Sequence, residues 1–483
     1  MSAPLSLSEM SVLDFLSDES YADLPAAVIA QGKRCLLDLV AVAAGGSVTS
    51  QAVIAREHVA AEESNPEGAR ILFDGRRVSV PGAAWANAAM IESLDAHDGH
   101  PLTKGHAGVA LLPGILAVSE RRPGGLGDAE LLVSLVKGYE LAIRCGLALH
   151  RTAPEYHSSG AWNGVAVALV SSQLLGSTRE EMLHAAGIAE YFGPRGPMMR
   201  CIARPTMVKD SSAWGSRVGV EASLLARRGF TGRPAELIVG PVGSRDSAEQ
   251  HAYVEELFAD LGRRWRILDQ YFKPYPVCRW AQPAVEAALT LSTRYGIDAE
   301  QIDRVEIASF LQAVALDTRE PRDTEEAQYS LPYAVAAALR FGSLGARQVD
   351  GESLKDPEVL RLSRCTELRE VPHYTERFPA ERQADVTCVM RDGRRLERRE
   401  VACPGDPSRP MSDDELVAKF RALAEPVMTE ATASVVERTI SGLAADCDNS
   451  SQLQELLLNP IRLARSAPPP ISTRPVRRDR APA

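Results

Sequence analysis

Apolar residues recur at three- and four-residue spacing through Ala26 to Ala44, Asp128 to His150, Ala161 to Leu175, Arg179 to Ala189 and Ser212 to Arg228, and this period predicts a helix for each. Several of these segments are apolar nearly all round, which places them in an interior rather than on a rim. One stretch breaks the pattern. Residues 70 to 80, RILFDGRRVSV, read as a small hairpin with Asp74-Gly75 at its turn.

From about residue 266 the texture changes. A helix is predicted near Ala281 to Tyr295, Val305 and Ile307 alternate as in a strand, and a further helix is predicted over Leu331 to Phe341, with Pro332 in its first turn. Val386, Cys388 and Met390 alternate ahead of Asp392-Gly393, and a basic return strand runs to about Cys403. Helical spacing resumes at Ser412, an N-cap with Glu415 three residues on. The pattern therefore predicts a mainly α chain with an inserted α+β domain. Its parts are a helical domain from 1–267 and 408–465, a smaller lid from 268–407, and a disordered tail over 466–483, where SAPPPISTRPVRRDRAPA lacks the apolar surface to order itself.

Composition narrows the class. With 483 residues, 45% hydrophobic and 24% charged, the chain can bury large cores. A net charge of −10 argues against nucleic acid as the main partner, while leaving room for a local cationic pocket that takes an anionic small molecule. The N-terminus has no basic region followed by an apolar one, so no secretory signal is read there. The charge-free run Gly160 to Ser177 is interrupted by Asn163, Ser171, Ser172 and Gln173, which speaks against membrane residence. Eight scattered cysteines, none in a CxxC pair, fit reduced cytoplasmic thiols and give no iron–sulfur or structural zinc framework.

Candidate chemistry concentrates in WANAAMIESLDAHDGHPLTKGHAGVALL, residues 85 to 112, where Asp95, His97, Asp98, His100, Lys104 and His106 crowd between apolar helical segments. Burying such groups costs several kcal/mol unless they are paired, so their density points to acid/base chemistry, a metal or a polyanionic ligand; a solvated loop of mutually paired charges has the same composition. The spacing fits no tight metal signature. Four smaller clusters add to it: Tyr156-His157-Ser158-Ser159-Gly160 before a small-residue helix, Lys209-Asp210-Ser211-Ser212 at a helix start, Lys273 to Arg279 on a proline-stiffened segment at the domain change, and Gln328 to Tyr333 at the mouth of an alanine-rich helix.

Taken in order, CLLDLVAVAAGG, AAWANAAMIESLDAHD with HPLTKGHAGVALLP, YHSSGAWNGVAVA, MVKD with LLARRGFTG, YFKPYPVCRWAQPAVEAAL, AQYSLPYAVAAAL and PGDPSRPMSDDELVAKF resemble the MmgE/PrpD family over roughly residues 10 to 450. The resemblance implies a homodimer and cofactor-independent, metal-free catalysis in a cleft between the helical domain and the lid. The implied activity is dehydration of a small hydroxy-di- or tricarboxylate such as a 2-methylcitrate-like acid. Epimerisation of an iminodisuccinate-like dicarboxylate, decarboxylation of a cis-aconitate-like acid, and an inactive carboxylate-binding relative remain as alternatives. Carried onto this chain, it implies His157 as leading acid/base group with His106 as partner, Asp95 as an orienting or second proton-transfer group, and Lys209 as a further catalytic residue and clamp. Lys273, Arg279, Lys104 and Tyr329 or Tyr333 are implied to bind substrate. Two departures stand out. Cys278 falls where the decarboxylase-like members carry a histidine, and DSSAW follows Lys209 where many relatives have a histidine. His97, Asp98 and His100 receive no role.

Overall fold

The computed structural model describes residues 5–18, 20–241, 247–425, 427–444 and 451–460, so the expected tail from 466 lies outside the described residues. The helical segments form where the periodicity places them: Ala26–Gly46, Asp128–Thr152, Gly160–Leu174, Arg179–Phe192 and Ser212–Ala226. Two more apolar helices, Val80–Glu92 and Gly108–Ser119, bracket the charged cluster, and every residue of the second is buried. They share one large core, which also takes in Met411 to Leu458 from the far end of the chain. The helix Asp413–Ala424, started by the Ser412/Glu415 capping box, lies on Ala26–Gly46.

Close packing inside this core is set by small residues. The helices Gly160–Leu174 and Ser212–Ala226 meet backbone to backbone. A Cβ on Gly219 would stand 2.5 Å from the Gly164 carbonyl oxygen, and one on Gly160 would stand 2.3 Å from that of Ser211. Larger side chains at these positions would push the helices apart and carry the 209–212 turn away from the 158–160 turn.

A second core contains Val277 to Val401 together with Met198 and Ile202. Its sheet runs in the order β4 (Thr366–Glu370), β3 (Ile302–Ser309), β5 (Gln383–Met390), β6 (Arg395–Ala402), with β3 and β4 parallel and the other pairs antiparallel. Val305 and Ile307 face the core, as their alternation requires, and pair with Cys388 and Val386. The helices Gln282–Tyr295 and Leu331–Phe341 are part of the same core, whereas β6 is mostly exposed and charged. The fold is thus mainly α with a smaller α+β part. The short strands β1 (Ser64–Arg70) and β2 (Arg77–Val78) form the hairpin, with Gly75 at φ 81° in its turn. No single helix among the described residues is long and apolar enough to cross a membrane.

Candidate active site

Between the two cores lies a small, partly open cavity, bounded by Asp95, Lys104 and His106 of the charged cluster, Tyr156, Asp210, the segment from Tyr271 to Trp280, Tyr329 and Arg382. A wider surface groove bounded by Val48, Leu94, Arg347 and Leu423 carries no histidine or lysine and no left-handed non-glycine residue, so it offers no comparable chemistry.

The 93–107 loop is held from every side. Asp98 N–H donates to Asp38 Oδ2 (3.0 Å), Gly99 and Tyr271 exchange backbone hydrogen bonds (3.1 and 2.8 Å), and His106 N–H donates to Ser159 Oγ (2.9 Å). This restraint stabilises an unusual backbone. Asp95, Lys104, Lys209 and Ser211, all at or beside the cavity, have φ between 50° and 59°, a left-handed conformation that costs a non-glycine residue about 1–3 kcal/mol. Strain of that kind persists where the surroundings over-determine it, and at Asp95 and Lys104 it places polar side chains at the cavity.

His106 is the best-defined proton acceptor. Its Nδ1 is 2.6 Å from the Asp98 carbonyl oxygen, which accepts only from Nδ1–H, so the neutral ring presents Nε2 as a base. Burial first, then the Lys273 ammonium, holds its pKa below the usual histidine range, against the opposing pull of Asp210 and Asp95. The ring packs 4.3 Å from that of His97, which burial keeps neutral far below the usual range.

The acids around it are differently occupied. Asp95 Oδ1 accepts from Lys273 Nζ (2.7 Å), which also donates to the Asp95 carbonyl (2.9 Å), while Oδ2 is buried with no partner among the described residues. Burial pushes Glu92 well above the ordinary carboxylate range, and its hydrogen bond with Asp210 pushes it further. On Asp210, burial is outweighed by hydrogen bonding, which includes the bond from Ser212 Oγ to Oδ1 (2.8 Å), so that carboxyl is held low. Glu92 accepts from the N–H groups of Ser212 (2.9 Å) and Ala213 (3.3 Å), whereas Asp210 Oδ2 is buried with no partner among the described residues.

Among the residues singled out from sequence, Asp95, Lys104, His106, Lys273, Arg279 and Tyr329 come together at the cavity. Three do not. Backbone pairing of His157 with Pro197 puts this segment in an extended conformation, so Tyr156 turns inward and His157 outward, partly exposed. Tyr333 is buried on its helix and donates to the Gln348 carbonyl oxygen (2.8 Å), away from the cavity. Lys209 sits behind the lining, its ammonium on the Gln328 carboxamide oxygen and 5.9 Å from the Tyr329 ring centre. Arg279 reaches the cavity but is already paired with Asp406 (2.5 Å) and the Pro404 carbonyl (2.7 Å). Cys278 contributes a thiol that burial pushes up to about 12.

Sequence reasoning did not single out Tyr156, Tyr271 or Arg382 as site residues, and weighed Asp210 only as a neighbour of Lys209. Tyr156 and Asp210 lie inside motifs it marked; Arg382, just ahead of β5 in RFPAERQAD, carried no signal. Asp98, whose carboxyl burial pushes up to about 7, accepts from the Tyr139 hydroxyl (2.6 Å) beneath the loop. His100, driven down to about 3 chiefly by burial, takes the Thr103 N–H at 3.4 Å. Among the described residues no group of three or more His, Cys, Asp or Glu is arranged to hold a metal ion.

Residues 11–255 match the MmgE/PrpD N-terminal domain and residues 275–443 the MmgE/PrpD C-terminal domain. The chain is 25% identical over 459 residues to a cis-aconitate decarboxylase-like protein of Aspergillus oryzae (89% of this chain, 93% of the relative). It is 24% identical over 470 residues to the cis-aconitate decarboxylase of Aspergillus terreus (91% and 94%), and 27% over 398 residues to the 2-methylcitrate dehydratase of Escherichia coli (74% and 77%).

Proposed function

The chain belongs to the MmgE/PrpD family, and we propose that it is a cofactor-independent lyase of the dehydratase type, acting on a small hydroxy-di- or tricarboxylate such as a 2-methylcitrate-like acid. The observation that carries this reading is His106, a neutral imidazole with its tautomer fixed and Nε2 free beside a cluster of cations. In this scheme Nε2 takes the proton alpha to a substrate carboxylate, and the Lys273 ammonium, oriented by Asp95, faces the dianionic enolate that develops. The bond to the beta hydroxyl then breaks. A proton from Glu92, whose carboxyl burial holds well above the ordinary range, passes by way of Asp210 to the departing oxygen, water and an alkene leave, and His106 returns its proton to these acids. His106 replaces His157 as leading base because the latter's ring faces away from the cavity.

A second reading is decarboxylation of a cis-aconitate-like acid, favoured by the longer overlap with the named decarboxylases. Epimerisation would use the same proton abstraction without a leaving group. We further propose a cytoplasmic homodimer. Its support is the number of large apolar side chains exposed within residues 191–214, namely Tyr191, Phe192, Met199, Met207, Val208 and Trp214, which an interface between two copies would cover.

Proton NMR in deuterated water with citrate, 2-methylcitrate, malate, cis-aconitate and iminodisuccinate tests the reaction. An alkene signal from a hydroxy acid supports dehydration, and loss of carbon dioxide moves the reading to decarboxylase. Deuterium at the alpha carbon alone moves it to epimerase, and binding with no exchange marks a silent carboxylate binder. A folded His106→Gln variant that still turns over would remove His106 as the base.

A further inference from the structure

Four cations reach the cavity, and they are not alike. Lys273 and Arg279 are neutralised within the protein by Asp95 and Asp406. Arg382 and Lys104 form no ion pair with any described carboxylate. Arg382 is 2% exposed, and among the described residues its Nη groups donate only to two carbonyl oxygens, those of Pro379 (2.9 Å) and Pro101 (3.2 Å), while its buried Nε has no partner there. A guanidinium has five N–H donors and does not lose its proton in a protein, so a buried one with no anion is costly. Lys104 is held by its left-handed backbone with its ammonium 4.2 Å above the Tyr156 ring, and it too has no hydrogen-bond acceptor among the described residues. Burial and the nearby Arg382 charge both depress its pKa. Two like charges at one cavity, without a counter-ion among the described residues, are what an anion-binding site looks like before its anion arrives.

We infer that Arg382 and Lys104 bind a second substrate carboxylate, distal to the carbon that His106 deprotonates, and that this pair makes the site selective for di- and tricarboxylates over monocarboxylates. The inference rests on reading the cavity as a carboxylate-binding active site. Its two anchors belong to different cores: Pro379 lies in the α+β part and Pro101 in the charged loop of the helical part, so the guanidinium is fixed where the two meet. The planar fork suits a carboxylate bidentately, which an ammonium alone does not.

Calorimetric binding to the full chain tests this with tricarballylate, butyrate and inorganic phosphate as probes, none of which can be dehydrated. Arg382→Gln and Lys104→Met are expected to weaken tricarballylate about 10- to 100-fold and butyrate hardly at all, with Arg382→Lys in between. Equal losses for tricarballylate and butyrate, unchanged tricarballylate binding, no tricarballylate binding by the wild type, or phosphate binding as tight as tricarballylate would each overturn the proposal. Should Arg382→Gln fail to fold, Lys104→Met carries the test, since its side chain makes no hydrogen bond that the fold needs. His106→Gln separates this inference from the catalytic reading. Loss of proton exchange with tricarballylate binding retained supports both, whereas exchange that survives His106→Gln while Arg382→Gln still discriminates the probes defeats only the reading.

Discussion

Replacing Lys419 by Met should destabilise the protein by an amount that depends on pH. Lys419 Nζ lies 2.5 Å from Asp38 Oδ1 and 2.6 Å from the Ala96 carbonyl oxygen, and Asp38 is 0% exposed. Removing the ammonium leaves a buried carboxylate whose remaining support is the Asp98 N–H at 3.0 Å, and stranding one member of such a pair costs about 3–5 kcal/mol. Burial already holds the Asp38 carboxyl above the ordinary carboxylate range, with Lys419 opposing it. Without Lys419 the carboxyl rises further. A group whose pKa is raised in the folded state favours folding when protonated, so the variant's deficit is full at pH 8 and shrinks as the pH falls towards 5. Chemical unfolding followed by tryptophan fluorescence at both pH values reads the difference. The double variant with Asp38→Asn should regain most of the loss, because a neutral amide can still accept the Asp98 N–H. Because Asp98 also fixes the His106 tautomer, turnover should fall about 10- to 100-fold in the single variant. A midpoint equal to that of the wild type, or a loss that does not change with pH, would refute the reasoning.

Three further outcomes are expected. The rate of alpha-proton exchange should fall with decreasing pH through a single limb placed below the usual histidine pKa, because burial and Lys273 hold His106 down; a limb above that range would mean a different base. Lys273→Met should lower kcat by at least about tenfold, since it strands Asp95 and removes the cation facing the enolate, whereas a change confined to KM would make Lys273 a clamp only. Dialysis against a chelator should leave turnover of the true substrate unchanged, and recovery that needs added divalent metal would overturn the metal-free mechanism.

Period and capping in the sequence determined the helices and much of the sheet, because those signals are local: a 3.6-residue apolar stripe, Pro332 in a first turn, or Ser412 with Glu415 acts within one turn of chain. The parallel strand Thr366–Glu370 was not legible, since its partner Ile302–Ser309 is reached only after a long crossover and its own residues are mostly polar. At the site, the density of charge between apolar segments announced Asp95, Lys104 and His106, and the order of motifs announced the family. Which groups meet was decided by tertiary structure alone. An extended backbone turned Tyr156 in and His157 out, helix packing through glycines brought Asp210 to the cavity, and Asp95 and Asp406 took up Lys273 and Arg279. That left Arg382, a residue with no local pattern around it, as a buried charge without an anion, because pairing and burial are properties of the folded chain and not of neighbouring letters.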